Sequence, residues 1–137
     1  MQGGTGEHGA NESRPVEVLI VDDQATFRKA LRDLVAATPG LTLAGEADSG
    51  EAALEAVESL SPRMVIMDKR MPGIGGVEAA RRITAAHPET VVVLISIEDL
   101  DEFSQDAQAC GAAALVRKQD FGPSLLRTIW KTHGACD

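Results

Sequence analysis

Short apolar runs alternate with apolar stripes at helical spacing from Val16 almost to the end of the chain. The run Val16 to Val21 is β-branched and stops abruptly at Asp22-Asp23, the pattern of a buried strand. Phe27, Ala30, Leu31, Leu34 and Val35 then repeat at helical spacing until Pro39-Gly40 ends the stripe. The alternation continues with a second strand marked by Leu41, Leu43 and Ala47 and a second helix faced by Ala53, Val57 and Leu60. Met64 to Met67 predicts a third strand ending at Asp68, and Val77, Ala80 and Ile83 a third helix. Val91 to Ile95 is the most continuous apolar run and predicts a fully buried central strand. Leu100, Phe103, Ala107 and Cys110 align as a fourth helix, Ala113 to Val116 reads as a last strand, and Leu125, Leu126, Ile129 and Trp130 face a closing helix.

Strand and helix in regular succession predict an α/β fold, a parallel sheet covered by helices on both faces. Such sheets bind ligands beyond the carboxyl ends of their strands, where strand order reverses. Those ends carry Asp22-Asp23, Asp68 and Ser96, and Lys118 follows the last strand, while the second strand contributes nothing with evident chemistry. Three carboxylates, a hydroxyl and an ammonium therefore converge on one edge.

Composition narrows the alternatives. The 137 residues are 44% hydrophobic and 25% charged, enough for one domain with an ordinary core. The domain is expected over residues 16–134, after a disordered leader of small and polar residues at 1–15 and before a flexible C-terminus at 135–137. Thirteen basic against 21 acidic side chains give a net charge of −8, so this chain alone is not expected to bind nucleic acid. No apolar run is long enough for a bilayer and no signal-peptide pattern opens the chain, so no membrane association and a cytoplasmic location are expected. Cys110 and Cys136 lack metal-ligand spacing, and Cys110 reads as a small buried apolar residue.

The chemistry open to the clustered groups is narrow. Carboxylates a few ångströms apart repel one another by roughly 4 kcal/mol per pair at an effective dielectric near 20, so they call for a cation. Oxygen ligands alone, with water and phosphate as the remaining partners, describe a Mg²⁺ site. A carboxylate beside that ion can attack phosphorus and form an acyl phosphate, with Lys118 and Ser96 holding phosphoryl oxygens.

The segments Val21-Asp22-Asp23, Asp68-Lys69-Arg70-Met71-Pro72-Gly73 with Gly76 behind it, Ser96 after an apolar strand, and Lys118 together resemble the receiver domain of two-component response regulators. The resemblance covers about Val16 to Gly134. It implies a flavodoxin-like (βα)5 doubly wound parallel five-stranded sheet with strand order 2-1-3-4-5. It further implies that Asp68 is the phosphoacceptor, Asp23 a direct metal ligand, Asp22 an acid acting on the metal through water, and the Arg70 backbone carbonyl the remaining ligand. Ser96 and Lys118 match the switch hydroxyl and the phosphate-pairing lysine. The implied partners are a sensor histidine kinase or phosphotransfer protein as donor and an output protein that the sequence does not identify. The face of the fourth helix, fifth strand and fifth helix is the surface offered to a partner or to a second copy in a dimer. The molecule is then a self-phosphorylating and self-dephosphorylating switch, not a turnover enzyme on an external substrate.

Several positions depart from the usual pattern. Lys69 follows the acceptor where an apolar residue is usual, so its ammonium must snorkel or find an acid. Leu115 stands where an aromatic switch residue is common, Ile97 where a small residue follows the hydroxyl, and Gln119 where a cis proline often follows the lysine. A cis bond to a non-proline residue costs about 3 kcal/mol, so a trans or strained bond is expected before Gln119. Leu115 and Ile97 favour an alternative reading, a phosphorylation-independent pseudo-receiver acting as an interaction module. An aspartate phosphatase would want an acid where Arg70 stands. The Lys118-Gln119-Asp120-Phe121 segment looks like receivers that usually carry a helix-turn-helix output domain, and none follows residue 134. The chain is therefore expected to be an excised domain or a single-domain regulator, with output through a partner or another chain.

Arg70 and Glu98 each stand two positions past a site residue, where a pair between them would hinder the hydrolytic water. Arg70→Ala is then expected to shorten the phosphoryl lifetime on Asp68 in an autodephosphorylation time course; an unchanged lifetime removes that role.

Overall fold

The structure, a computed structural model, describes residues 15–96 and 110–133. The expected leader over most of 1–15, the greater part of the expected fourth helix including Leu100, Phe103 and Ala107, the positions Ile97 and Glu98, and the C-terminus from 134 lie outside the described residues. Within them the chain runs β1 (Val16–Val21), α1 (Ala25–Ala37), β2 (Leu41–Ala47), α2 (Gly50–Leu60), β3 (Met64–Asp68), α3 (Gly75–Ala86), β4 (Val91–Ser96), β5 (Ala114–Arg117) and a C-terminal helix (Pro123–His133). All paired strands are parallel, in the order β2-β1-β3-β4-β5. The expected fold is the one observed. The last strand runs one residue later than its apolar pattern suggested, because pairing with β4 continues to Ser96↔Arg117.

Apolar side chains on both faces of the central strands make this sheet a middle layer. Successive strand residues point to opposite faces. In β1, β3 and β4 the odd-even split separates Leu19, Val21, Val65, Met67, Val92 and Leu94 from Val18, Ile20, Met64, Ile66, Val93 and Ile95. The first set packs with Ala53 and Val57 of α2 and Ala80 and Ile83 of α3. The second packs with Leu31 and Val35 of α1 and Leu126 and Ile129 of the C-terminal helix. Each such side chain, fully buried, contributes roughly 1.5–3 kcal/mol, so the three middle strands hold the frame on which the loops sit. β2 is an edge strand, and its pairing with β1 slips around Ala44, where Val18↔Leu43 is followed by Leu19↔Gly45. Trp130 packs against the second cluster and carries the Arg63 guanidinium 5.0 Å above its ring centroid. Cys110 is buried in the first cluster, as its sequence context predicts.

The helix stops are local. Thr38 ends α1 by returning its N–H to the Val35 carbonyl and its hydroxyl to the Leu34 carbonyl at 2.7 Å, and Gly40 then takes φ +91°. Ser49 caps α2, its Oγ accepting the Ala52 N–H at 3.0 Å. The segment between β3 and α3 bears most directly on the strand ends. Gly76 donates its N–H to the Lys69 carbonyl at 2.9 Å, and a β-carbon there would overlap the Asp68 carbonyl oxygen and stand 2.8 Å from Lys69 Cα. Only a residue without a side chain lets α3 start this close to the end of β3. Glu51, in the first turn of α2, accepts the Ile74 N–H at 3.2 Å and so ties the far end of the loop to the neighbouring helix.

Gly76→Ala is expected to lower stability by about 1–3 kcal/mol, the usual cost of forcing a methyl into close-packed backbone. Urea unfolding followed by circular dichroism measures it, and an unchanged midpoint contradicts the contact.

Candidate functional site

Parallel pairing lines up the carboxyl ends of β1, β3 and β4, so the residues that follow them meet without help from long loops. Asp22 continues the β1–β2 pairing by one step, donating its N–H to the Ala47 carbonyl at 3.1 Å. Its side chain is fully buried. One oxygen, Oδ1, accepts the Gln24 N–H at 2.8 Å, which turns the chain into α1. The other, Oδ2, receives no directed hydrogen bond although it lies 3.0 Å from Lys118 Nζ; that contact is a charge pairing with poor hydrogen-bond alignment. Asp23, beside it, is exposed.

Asp68 closes β3. Its Oδ1 accepts the Arg70 backbone N–H at 3.3 Å and its Oδ2 faces Lys118 Nζ at 3.4 Å. Beyond it the Lys69 N–H bonds to the Ile95 carbonyl of β4 at 2.9 Å, so the backbone around Asp68 stays bound to its neighbouring strand. Met71 and Ile74 pack against the first core cluster and anchor the loop from below. Carboxylate oxygens of Asp22, Asp23 and Asp68 lie within 4.8 Å of one another. The three acids that the sequence places at strand ends are therefore brought together, and Lys118 is brought to two of them.

Lys118 follows β5 in a short 3-10 turn, Lys118–Asp120, reinforced by an Arg117–Asp120 ion pair at 3.0 Å. No peptide bond among the described residues is cis, so Gln119 follows the lysine through a trans bond, as expected. Ser96 is buried at the end of β4, one residue past the carbonyl that holds Lys69. Arg70 is exposed and Lys69 half-buried. Leu115 is half-buried and packs into the first cluster.

Two contributors were not legible from residue types at strand ends. Arg28, in the first turns of α1, donates from Nη1 to the Asp22 carbonyl at 2.7 Å and pairs through Nε with Glu46 at 3.3 Å. Glu46 also receives Arg32 at 2.9 Å. The second strand, which offers no obvious chemistry, thus supplies the anchor for an arginine that holds the backbone of the first acid. The second contributor is Phe27, whose ring centroid lies 4.0 Å from Lys118 Nζ. An apolar stripe shows such a residue only as packing.

The electrostatics follow from this crowding. Asp68 has its pKa raised above the ordinary carboxylate value, first by burial and then by the Asp22 charge; Lys118 and the Arg70 amide oppose the rise without cancelling it. The three acids meet the Lys118 ammonium here, and among the described residues Asp22 Oδ2 is a buried oxygen with no directed hydrogen bond. An all-oxygen set of this kind suits a hard divalent cation, and Mg²⁺ in particular when phosphate and water complete the shell.

The chain matches the family described as Response regulator receiver domain over residues 18–130. It is 39% identical over 103 residues to the response regulator GacA of Pseudomonas syringae pv. syringae, an overlap covering 75% of this chain and 48% of that protein. To the protein-glutamate methylesterase/protein-glutamine glutaminase 4 of Geobacter metallireducens it is 43% identical over 100 residues, 73% of this chain and 29% of that one. The chain thus spans about half the length, or less, of these relatives. The response regulator domain of Thermotoga maritima CheB superposes with a TM-score of 0.78 at 30% identity, covering 90% of this chain and 99% of that domain.

A raised carboxyl pKa fixes the sign of one linkage. Where the folded pKa exceeds the unfolded one, stability is fully present below the unfolded pKa and declines as pH rises through the folded one. Asp68→Asn is accordingly expected to raise the urea midpoint at neutral pH in metal-free buffer, with the gain disappearing as pH falls below the carboxylate range. A loss of stability at neutral pH would contradict the burial and the like charge that raise this carboxyl's pKa.

Proposed function

Because this chain belongs to the response regulator receiver domain family, we propose that Asp68 is its phosphoacceptor and that the group comes from a phosphohistidine of a sensor histidine kinase or phosphotransfer protein. The observation that carries this reading is the convergence of Asp22, Asp23 and Asp68 within 4.8 Å, with the largely enclosed Lys118 ammonium 3.0 and 3.4 Å from two of them. An Asp68 oxygen attacks phosphorus; the P–O bond forms as the P–N bond to the donor imidazole breaks, and the electron pair returns to that nitrogen. Lys118 pairs with a phosphoryl oxygen, having its ammonium already beside Asp68. The Ser96 hydroxyl donates to a second oxygen. Water attack on phosphorus later releases phosphate and restores the carboxylate.

Asp22, Asp23, Asp68 and the Arg70 carbonyl are the groups that would hold Mg²⁺, with Asp22 acting through water. When bound, that ion neutralises charge on the transferring phosphoryl group. Asp22 Oδ2, buried and without a directed hydrogen bond, is the acceptor such a water would satisfy. Arg28 and Gln24 hold the Asp22 turn in place through its carbonyl and its Oδ1, so the acid does not need to reorganise.

The chain itself performs no turnover on an external substrate in this reading. It hands a change of state to an output domain or protein through the surface of β5, the C-terminal helix and the neighbouring segment, or to a second copy of itself. Among the described residues no helix is long and apolar enough to cross a membrane, and a cytoplasmic place fits a partner that carries phosphohistidine. Leu115 in the aromatic's usual place makes a partial shift the expected response.

Incubation with Mg²⁺ and a small-molecule phosphodonor, followed by intact mass, tests the reading. Wild type is expected to gain one phosphoryl group, and neither Asp68→Asn nor the metal-free protein should do so. No gain under forcing conditions would leave the phosphorylation-independent interaction module as the function.

A further inference from the structure

Lys118 is enclosed on more sides than its two acids account for. Its side chain is only 11% exposed, with Asp22 and Asp68 at 3.0 and 3.4 Å and the Phe27 ring face at 4.0 Å. We infer that Phe27 is a positioning residue for Lys118, its ring face holding the ammonium over Asp22 and Asp68 so that the charge stands ready for a phosphoryl oxygen.

A lysine is a compact charge on four rotatable carbons, and two carboxylates alone leave it free to swing around them. An aromatic face attracts the ammonium through its quadrupole and does so most strongly where water is excluded. Phe27 is itself held. It projects from the first turn of α1 and packs against the core cluster of Val18, Ile20 and Leu31. Its neighbour Arg28 is bound to the Asp22 carbonyl and to Glu46, which fixes that turn of the helix against β1 and β2. Adjacent residues of one helical turn thus hold both partners of the Asp22–Lys118 pair, Arg28 through the backbone of the acid and Phe27 through the charge of the base.

The ring's pull has a property that the carboxylates lack. The Asp22 and Asp68 charges are shared as soon as another cation or a phosphoryl group enters, and their hold on the ammonium changes with it. The quadrupole of Phe27 does not titrate and is not redistributed. A contact of this kind keeps Lys118 near one position while the charges around it are exchanged. A leucine would fill the packing space and lack the attraction, which separates positioning from mere core filling.

Two measurements test this on the full chain. The first needs no phosphorylation: in wild type, ring current is expected to move the Lys118 ε-methylene proton resonances upfield of those of Lys29 and Lys131, and Phe27→Leu should return them. Resonances that coincide with the other lysines in wild type would overturn the inference. The second rests on the phosphoacceptor reading of Asp68 and uses acetyl phosphate with Mg²⁺. Phe27→Leu is expected to raise the half-saturating donor concentration by roughly threefold to thirtyfold, with a smaller change in the maximal rate. Mono-, di- and trifluorophenylalanine placed at position 27 keep the shape and weaken the quadrupole stepwise, so the same constant should climb along the series. A flat series in a protein that still phosphorylates overturns the positioning role. Failure of wild type to phosphorylate at all would overturn the acceptor reading instead, and the proton resonances would then decide the inference.

Discussion

Carboxylates gathered at one edge of a sheet repel, and everything about this site is arranged around that repulsion. Two unit charges about 4 Å apart cost roughly 4 kcal/mol at an effective dielectric near 20, and here Asp22, Asp23 and Asp68 lie within 4.8 Å. One ammonium, from Lys118, stands between two of them. It relieves part of that repulsion. Burial first, and the Asp22 charge second, raise the Asp68 pKa, and the negative charge gathered here suits a divalent cation. A fully neutralised cluster would be a structural ion-pair knot with no appetite for a ligand.

Holding such a cluster requires a frame that does not yield. The frame is the three middle strands, apolar on both faces and covered by helices on both. Above it, short connections leave little slack. The Asp22 side chain bonds to the Gln24 N–H and its carbonyl to Arg28; Asp68 lies one residue before a backbone bond to Ile95; and Gly76 lets α3 begin against the Asp68 carbonyl. Apart from the bond to Asp22 Oδ1, these contacts act on the backbone of the acids. Backbone anchors hold an acid in place while leaving carboxylate oxygens open to incoming partners, whereas side-chain anchors would occupy those same oxygens.

Much of this was legible in the sequence because strand ends are legible. The apolar runs that stop at Asp22, Asp68 and Ser96 mark where β1, β3 and β4 end, and parallel topology alone brings those ends together. Lys118 was readable for the same reason, two residues past the apolar run that predicts β5. Arg28, Glu46 and Phe27 were not, because their roles come from pairings that periodicity does not encode. Phe27 reads as one more apolar residue of a helical stripe, and whether its ring meets a core methyl or an ammonium depends on where β5 delivers Lys118. Glu46 reads as a solvent-facing residue of an edge strand, since neither Arg28 nor Arg32 is near it in sequence. Gly76 showed as part of a recurrent pattern, but the reason for it, the carbonyl that a β-carbon would strike, required the backbone path.

Accepting a phosphoryl group and transmitting its arrival draw on different parts of this arrangement. Moving a two-state surface from about 1:99 to 99:1 takes about 5.5 kcal/mol of difference between the states. A hydrogen bond to a charged group is worth about 1.5–3 kcal/mol net, and only contacts absent before the phosphoryl group arrives count toward the difference. Lys118 is already paired with Asp22 and Asp68, so in the proposed role it would contribute only the margin by which a phosphoryl oxygen exceeds the carboxylate oxygens it already has. Ser96, in its proposed role, would add one hydroxyl. An aromatic ring moving from solvent to core would add apolar burial to the same side, but Leu115 is already packed against the first cluster and has less surface to hide. In the proposed reading the acids, Lys118 and Ser96 already stand at the edge of the sheet, and a partner that binds the phosphorylated form better would add free energy toward a complete change of surface.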